Sequence, residues 1–169
     1  MGRYERRKGW IGSALLLATV ALVVLRPWES DPRNGPATAA VRVTRVIDGD
    51  TIEVRLGGRV EDVRLIGVDT PETVKPDTPV QCFGPRASHF TKRLLTGQRV
   101  RLVFGEERRD VYGRLLAYVF LGGRFFNPIL VRRGLARSLT IPPNDRFAPR
   151  FRRLELAAAR AGRGLWGAC

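Results

Sequence analysis

Residues 47–72 read IDGDTIEVRLGGRVEDVRLIGVDTPE, and no other stretch constrains the fold as much. Two carboxylates stand one residue apart at its start, Asp48 and Asp50. It closes on Asp69, Thr70, Pro71 and Glu72, with Arg64 shortly before. Apolar and polar residues alternate on both sides of Gly57-Gly58, the pattern of two half-buried strands joined by a tight turn. Side chains two apart on an extended segment share a face, so Asp48 and Asp50 can project together. Folding the second strand back antiparallel brings Asp69 and Glu72 near Asp50. Several carboxylates in one place call for a cation, and oxygen-only donors suit a hard one such as calcium or magnesium. Arg64 beside them points to an anionic second occupant, most simply a phosphate.

The charge balance agrees. The chain has 169 residues, with 30 basic against 16 acidic ones and a net charge of +14. Such an excess points to a polyanion, nucleic acid before anionic membrane. A GC-rich genome would account for the preference for arginine over lysine, but not for the net excess. One histidine, His89, and two distant cysteines cannot make a conventional zinc site.

A basic leader (Arg3, Arg6, Arg7, Lys8) precedes WIGSALLLATVALVVL, an uncharged run over residues 10–25. Trp10 and Trp28 flank it as interface residues would, and no small-x-small cleavage site follows directly. Residues 1–25 are therefore expected to form an N-terminal hydrophobic helix, a signal anchor that contacts the membrane through residues 10–25 and leaves the rest outside the cytoplasm. Secretion after cleavage is the alternative. Residues 26–40, with three prolines, are expected to be a linker. The folded domain is expected over 41–169.

Within that domain, 41–47, 51–56, 61–68, 99–104 and 115–121 read as strands, with a short return at 124–125. Residues 84–97, 127–133 and 147–161 read as helices. Five strands with a helix between the third and fourth predict an α+β, mostly β fold: a five-stranded OB-fold barrel with about three helices. Nothing suggests an oligomer, so a monomer is expected.

Three blocks together resemble the staphylococcal nuclease family: VIDGDT at 46–51, RLIGVDTPET at 64–73, and D-x-YGR-x-LAYV at 110–119. FGPRASHFTK and NPILVRRGLA are similar to the family's helices, and the likeness covers about 41–166. The resemblance implies a calcium-dependent nuclease acting on DNA and RNA and leaving 3′-phosphates. It implies calcium ligation by Asp50 and Asp69, by the Thr70 carbonyl, and by Asp48 through water. It assigns Glu72 to the attacking water and Arg64 and Arg114 to the phosphate, and sets Tyr112 against the substrate phosphate or sugar. The residue chemistry is consistent with this, because guanidinium groups bind phosphate bidentately and stay charged. Singly, each of these side chains has a bland reading, as a turn carboxylate or a surface ion pair.

Two departures stand out. Where the family's best-known member has a lysine, this chain has Val111. The loop 137–144, RSLTIPPN, lacks the tyrosines on which a base packs there. Affinity should then lean on diffuse arginine charge. Either proline of Pro142-Pro143 is a candidate for a cis bond. Cys82 and Cys169 are absent from that member. Outside the cytoplasm they form the one possible intrachain disulfide, with two free thiols as the alternative. The rival to a nuclease is a non-catalytic nucleic-acid-binding OB module at the cell surface. A domain that only binds anionic lipid would leave the carboxylates unexplained.

Overall fold

The computed structural model describes residues 37–74 and 77–169. The expected hydrophobic helix and most of the linker lie outside these residues. Among the described residues, no helix is long and apolar enough to cross a membrane.

Among the described residues there are eight strands: β1 Thr38–Asp48, β2 Thr51–Leu56, β3 Arg59–Leu65, β4 Val68–Asp69, β5 Arg99–Arg109, β6 Leu115–Leu121, β7 Arg124–Phe125 and β8 Arg137–Ser138. The main sheet runs β3-β2-β1-β5-β6-β7, and a parallel β3–β6 pairing closes it. The closed barrel is thus made of β1, β2, β3, β5 and β6, as the strand order predicts. Closure leaves these five strands without a free edge, which removes the unpaired backbone groups of an open sheet.

The period-two pattern explains the inside of the barrel. Ile52 and Val54 of β2, Val63 and Leu65 of β3, Leu102 of β5 and Val119 of β6 are all essentially buried. β1 starts at Thr38, earlier than the alternation suggests, because Thr38 to Arg42 pair along β5. The third expected strand is split. β3 ends at Leu65, and Val68–Asp69 forms β4, which pairs with β8. The turn between them holds Gly67 at φ 82°, and a Cβ there would lie 2.3 Å from the Phe151 ring.

Three helices pack on the barrel: α1 Gly84–Leu95, α2 Asn127–Arg132 and α3 Ala148–Arg160. Each has a proline in its first turn, where a missing N–H costs nothing. A one-turn α4, Leu165–Ala168, ends the chain. Helix α1 buries Ala87, Phe90, Thr91 and Leu95 at helical spacing and stops at Thr96. Asn127 opens α2 from full burial. Its Oδ1 accepts from the Val119 N–H at 2.9 Å and its Nδ2 donates to the Ile66 carbonyl at 2.8 Å. That pins α2 to β6 and to the turn that leads into Asp69. The Pro142–Pro143 bond is cis.

Candidate nuclease site

The site grows from the turn between β1 and β2. Irregularities in register at Val43/Arg45 and Val46/Asp48 curl the end of β1. Asp48 is the last residue of β1, and Asp50 sits in the two-residue turn that follows, since Asp48 pairs with Thr51. The two carboxylates come together through this turn rather than by alternation along one strand. Thr91 of α1 donates its hydroxyl to the Gly49 carbonyl at 2.7 Å, so the helix clamps the turn. Gly49 itself has no room for a side chain, because a Cβ would meet Thr70 at 2.8 Å. That close approach is what lets Asp50 reach Thr70.

Asp50 Oδ2 accepts from the Thr70 N–H at 2.7 Å and from the Thr70 hydroxyl at 2.9 Å. Arg64, opposite Thr51 in the β2–β3 ladder, lies 2.5 Å from the same oxygen through one guanidinium nitrogen. Its other terminal nitrogen is 2.9 Å from Asp69 Oδ1, so one guanidinium spans both aspartates. Asp69 is held from the other side by the β4–β8 pairing, opposite Arg137. Asp48 Oδ1 accepts from the Gly49 N–H and the Thr73 hydroxyl, both at 2.7 Å. Glu72 Oε1 caps the N–H groups of Thr73 and Val74 at 2.8 Å, and its carboxyl lies near enough to Asp48 to help raise it.

The electrostatics follow from burial. Asp48 and Asp50 are 6% and 5% exposed. Burial pushes the Asp48 carboxyl above its usual value against the pull of Thr73 and Gly49, and Asp50 and Glu72 add to the rise. Asp69 is also pushed up, by its partial desolvation and by Asp50 and Glu72 with Arg64 opposing, although its side chain is 53% exposed and the rise is correspondingly screened. Asp48 and Asp69 therefore both hold a proton more tightly than normal, with Asp50 and Glu72 as the like charges beside them. A divalent cation bound beside these carboxylates would favour their charged forms. Among the described residues no three acidic, histidine or cysteine side chains converge into a ready cage. Asp50 and Asp69 supply two hard donors, and the Thr70 carbonyl and water would have to complete a shell. That oxygen-only set fits calcium.

Arg114 stands at the other side of Arg64. It forms an ion pair with Asp110, through Nε and one terminal nitrogen at 2.7 Å each, which orients the guanidinium. Its Cζ lies 5.3 Å from the Tyr112 ring centre. Arg64 and Arg114 both line a cleft of about 290 Å³, together with Val111, Tyr112, Leu139, Ile141 and Asn144. Val111 and Tyr112 project into solvent, 94% and 81% exposed. Asn144 ties the far loop down, exchanging hydrogen bonds with the Glu107 backbone at 3.1 and 2.9 Å. Asp69 and Thr70 line a second depression of about 190 Å³, walled by Cys82 and Cys169. Those cysteines are disulfide-bonded across 87 residues of chain, with Cα atoms 6.0 Å apart.

All eight residues singled out for the chemistry thus fall around one region, with Arg64 joining the carboxylates to the cleft. Three participants escape a reading by residue type alone. Thr73 lies within the RLIGVDTPET block, whereas Thr91 and Asn144 carry no local signal. His89 is exposed on α1, outside this site.

Comparison with known proteins agrees with this geometry. A model of the family described as "Staphylococcal nuclease homologue" matches residues 62–168. The chain is 42% identical to a thermonuclease of Staphylococcus hyicus and 46% identical to one of Staphylococcus intermedius. Each match runs over 164 residues and covers 92% of this chain and 97% of the relative. It is 40% identical to the endonuclease YncB of Bacillus subtilis over 136 residues, 79% of this chain and 64% of that protein. Barrel, site and relatives converge: the chain belongs to the staphylococcal nuclease family.

Proposed function

We propose that the nuclease activity of this chain is calcium-dependent endonucleolytic hydrolysis of DNA and RNA, leaving 3′-phosphate ends, outside the cytoplasm. The observation that carries the reading is Arg64 spanning Asp50 and Asp69 at 2.5 and 2.9 Å. It puts a phosphate-binding cation beside two hard metal donors, in a fold whose relatives are nucleases.

Asp50, Asp69 and the Thr70 carbonyl would hold calcium, with Asp48 in support through water. When bound, calcium would polarise a non-bridging phosphate oxygen. Arg64 and Arg114 hydrogen-bond the remaining phosphate oxygens and stay charged at neutral pH. Glu72 positions the attacking water or accepts its proton at a carboxylate oxygen. The water oxygen bonds to phosphorus, the bond to the 5′-oxygen breaks, and that oxygen takes up a proton. Tyr112 lies beside Arg114 and contacts the substrate phosphate or sugar. The disulfide supports action in an oxidising compartment. Residues 10–25 anchor the chain to the membrane, or are removed on secretion.

Nicking of supercoiled plasmid by residues 37–169, which keep the whole of β1, with calcium and then with chelator, tests the reading. Cutting that appears only with calcium is expected. A folded, oxidised sample that binds DNA but never cuts it would leave the non-catalytic binding module.

A further inference from the structure

A broad arginine-lined depression lies away from the carboxylates. It is a shallow, open depression of about 1020 Å³ lined by Arg86, His89, Arg93, Arg132, Arg133 and Arg163, over a floor that includes Phe83 and Phe90. No acidic side chain lines it. Among the described residues, none of its five guanidinium groups forms an ion pair. Three separate segments build it. Arg86, His89 and Arg93 form one stripe along α1, about 10 Å long at a helical rise. Arg132 and Arg133 end α2, and Arg163 follows α3. Two of the guanidiniums are steadied by rings, Arg86 over Phe83 at 5.3 Å and Arg133 over Phe90 at 5.1 Å.

Five like charges around one concavity repel each other, and an anion with several charges removes that cost. The place of the groove says which anion. Its lining adjoins that of the depression holding Asp69 and Thr70 at two points of the chain. Phe83 adjoins Cys82, and Gly164 adjoins Leu165, each pair divided between the two depressions. A chain of phosphates leaving the candidate site past the disulfide would enter this groove. None of the large exposed apolar side chains lines it, so it lacks the apolar wedge of a membrane-inserting face.

We propose that this arginine groove is a second binding site for the polynucleotide backbone, holding the phosphates of the strand that extends beyond the scissile bond. The proposal rests on the nuclease reading for its ligand. It sets a length preference: strands long enough to reach the groove bind and are cut better than short ones.

The test uses the full chain and its triple variant Arg93→Gln/Arg132→Gln/Arg163→Gln, with the matching triple lysine variant as control. Binding to single strands of about 30 and about four nucleotides is followed against salt, in chelator, so no hydrolysis is needed. Neutralising three charges should lower the salt slope for the long strand by about two and weaken its binding roughly tenfold at moderate salt. The ratio of long- to short-strand affinity should fall, and the lysine variant should restore it. An unchanged slope, or equal losses on both lengths, overturns the proposal. Loss of binding to anionic phospholipid vesicles with the long-strand slope unchanged would overturn it in favour of a membrane surface. Because binding is read in chelator, an inactive intact protein would sink the nuclease reading and not this one.

Discussion

The turn that carries Asp48 and Asp50 and the aromatic cluster behind β6 are both buried, for opposite reasons. Tyr118 meets Phe147 edge to face at 4.9 Å and Phe125 at 5.6 Å, and Phe125 meets Phe151 at 6.0 Å. Those rings leave water with a gain in free energy, and each such pair adds about 0.5–1.5 kcal/mol beyond burial. The Asp48 carboxylate leaves water at a cost, which shows in its raised affinity for a proton. Gly67 touches both regions, since it lies against Phe151 two residues before Asp69. The aromatic side stabilises the fold against which the carboxylate side is held under strain. Stability and activity should therefore respond to different substitutions.

The largest expected effect breaks the aromatic side. Phe151→Ala should destabilise the domain by about 3–5 kcal/mol in urea unfolding, because a fully buried ring leaves a cavity. The folded fraction should keep its turnover; a fall in kcat at full folding would mean that the two regions are not separable. On the carboxylate side, Arg64→Lys should slow hydrolysis by roughly 10²–10³, by analogy with loss of one preorganised charge contact. A rate within fivefold of the parent would remove Arg64 from the phosphate.

Calcium should sharpen the contrast. At about 100 times its dissociation constant it should raise stability by about 2.7 kcal/mol, an increment that chelator removes. The same increment should appear in Phe151→Ala and vanish in Asp50→Asn. A calcium shift that survives Asp50→Asn would place the ion elsewhere.

The smallest effect concerns alkaline pH. Burial pushes the Tyr118 hydroxyl up from 10.0 to about 12, so the folded protein keeps a proton that the unfolded chain releases. Its contribution is complete below pH 10.0 and is lost as pH rises toward 12. Unfolding midpoints should fall across that window, and less so in Tyr118→Phe. Equal slopes in the two proteins would show that Tyr118 is not the cause.

Much of the barrel and nearly all of the candidate chemistry can be read from residue order. Alternation at Ile52, Val54, Val63 and Leu65 marks the strands because only one face of each enters the core. Asp50, Arg64, Asp69, Glu72 and Arg114 stand out because charged groups rarely recur at such spacing without a partner. Thr91 and Asn144 do not stand out. A threonine that holds a turn 42 residues away and an asparagine that ties down a loop have no local pattern, only a place in three dimensions.

The sequence by itself determined the strand order, the acidic and basic blocks and the pair of cysteines, since periodicity and residue type are local properties. Only the tertiary structure decided that Asp48 and Asp50 meet across a turn and that Arg64 bridges Asp50 to Asp69. It also decided that arginines from three separate segments face one groove. Those relations depend on barrel closure and helix docking, which bring together groups far apart along the chain.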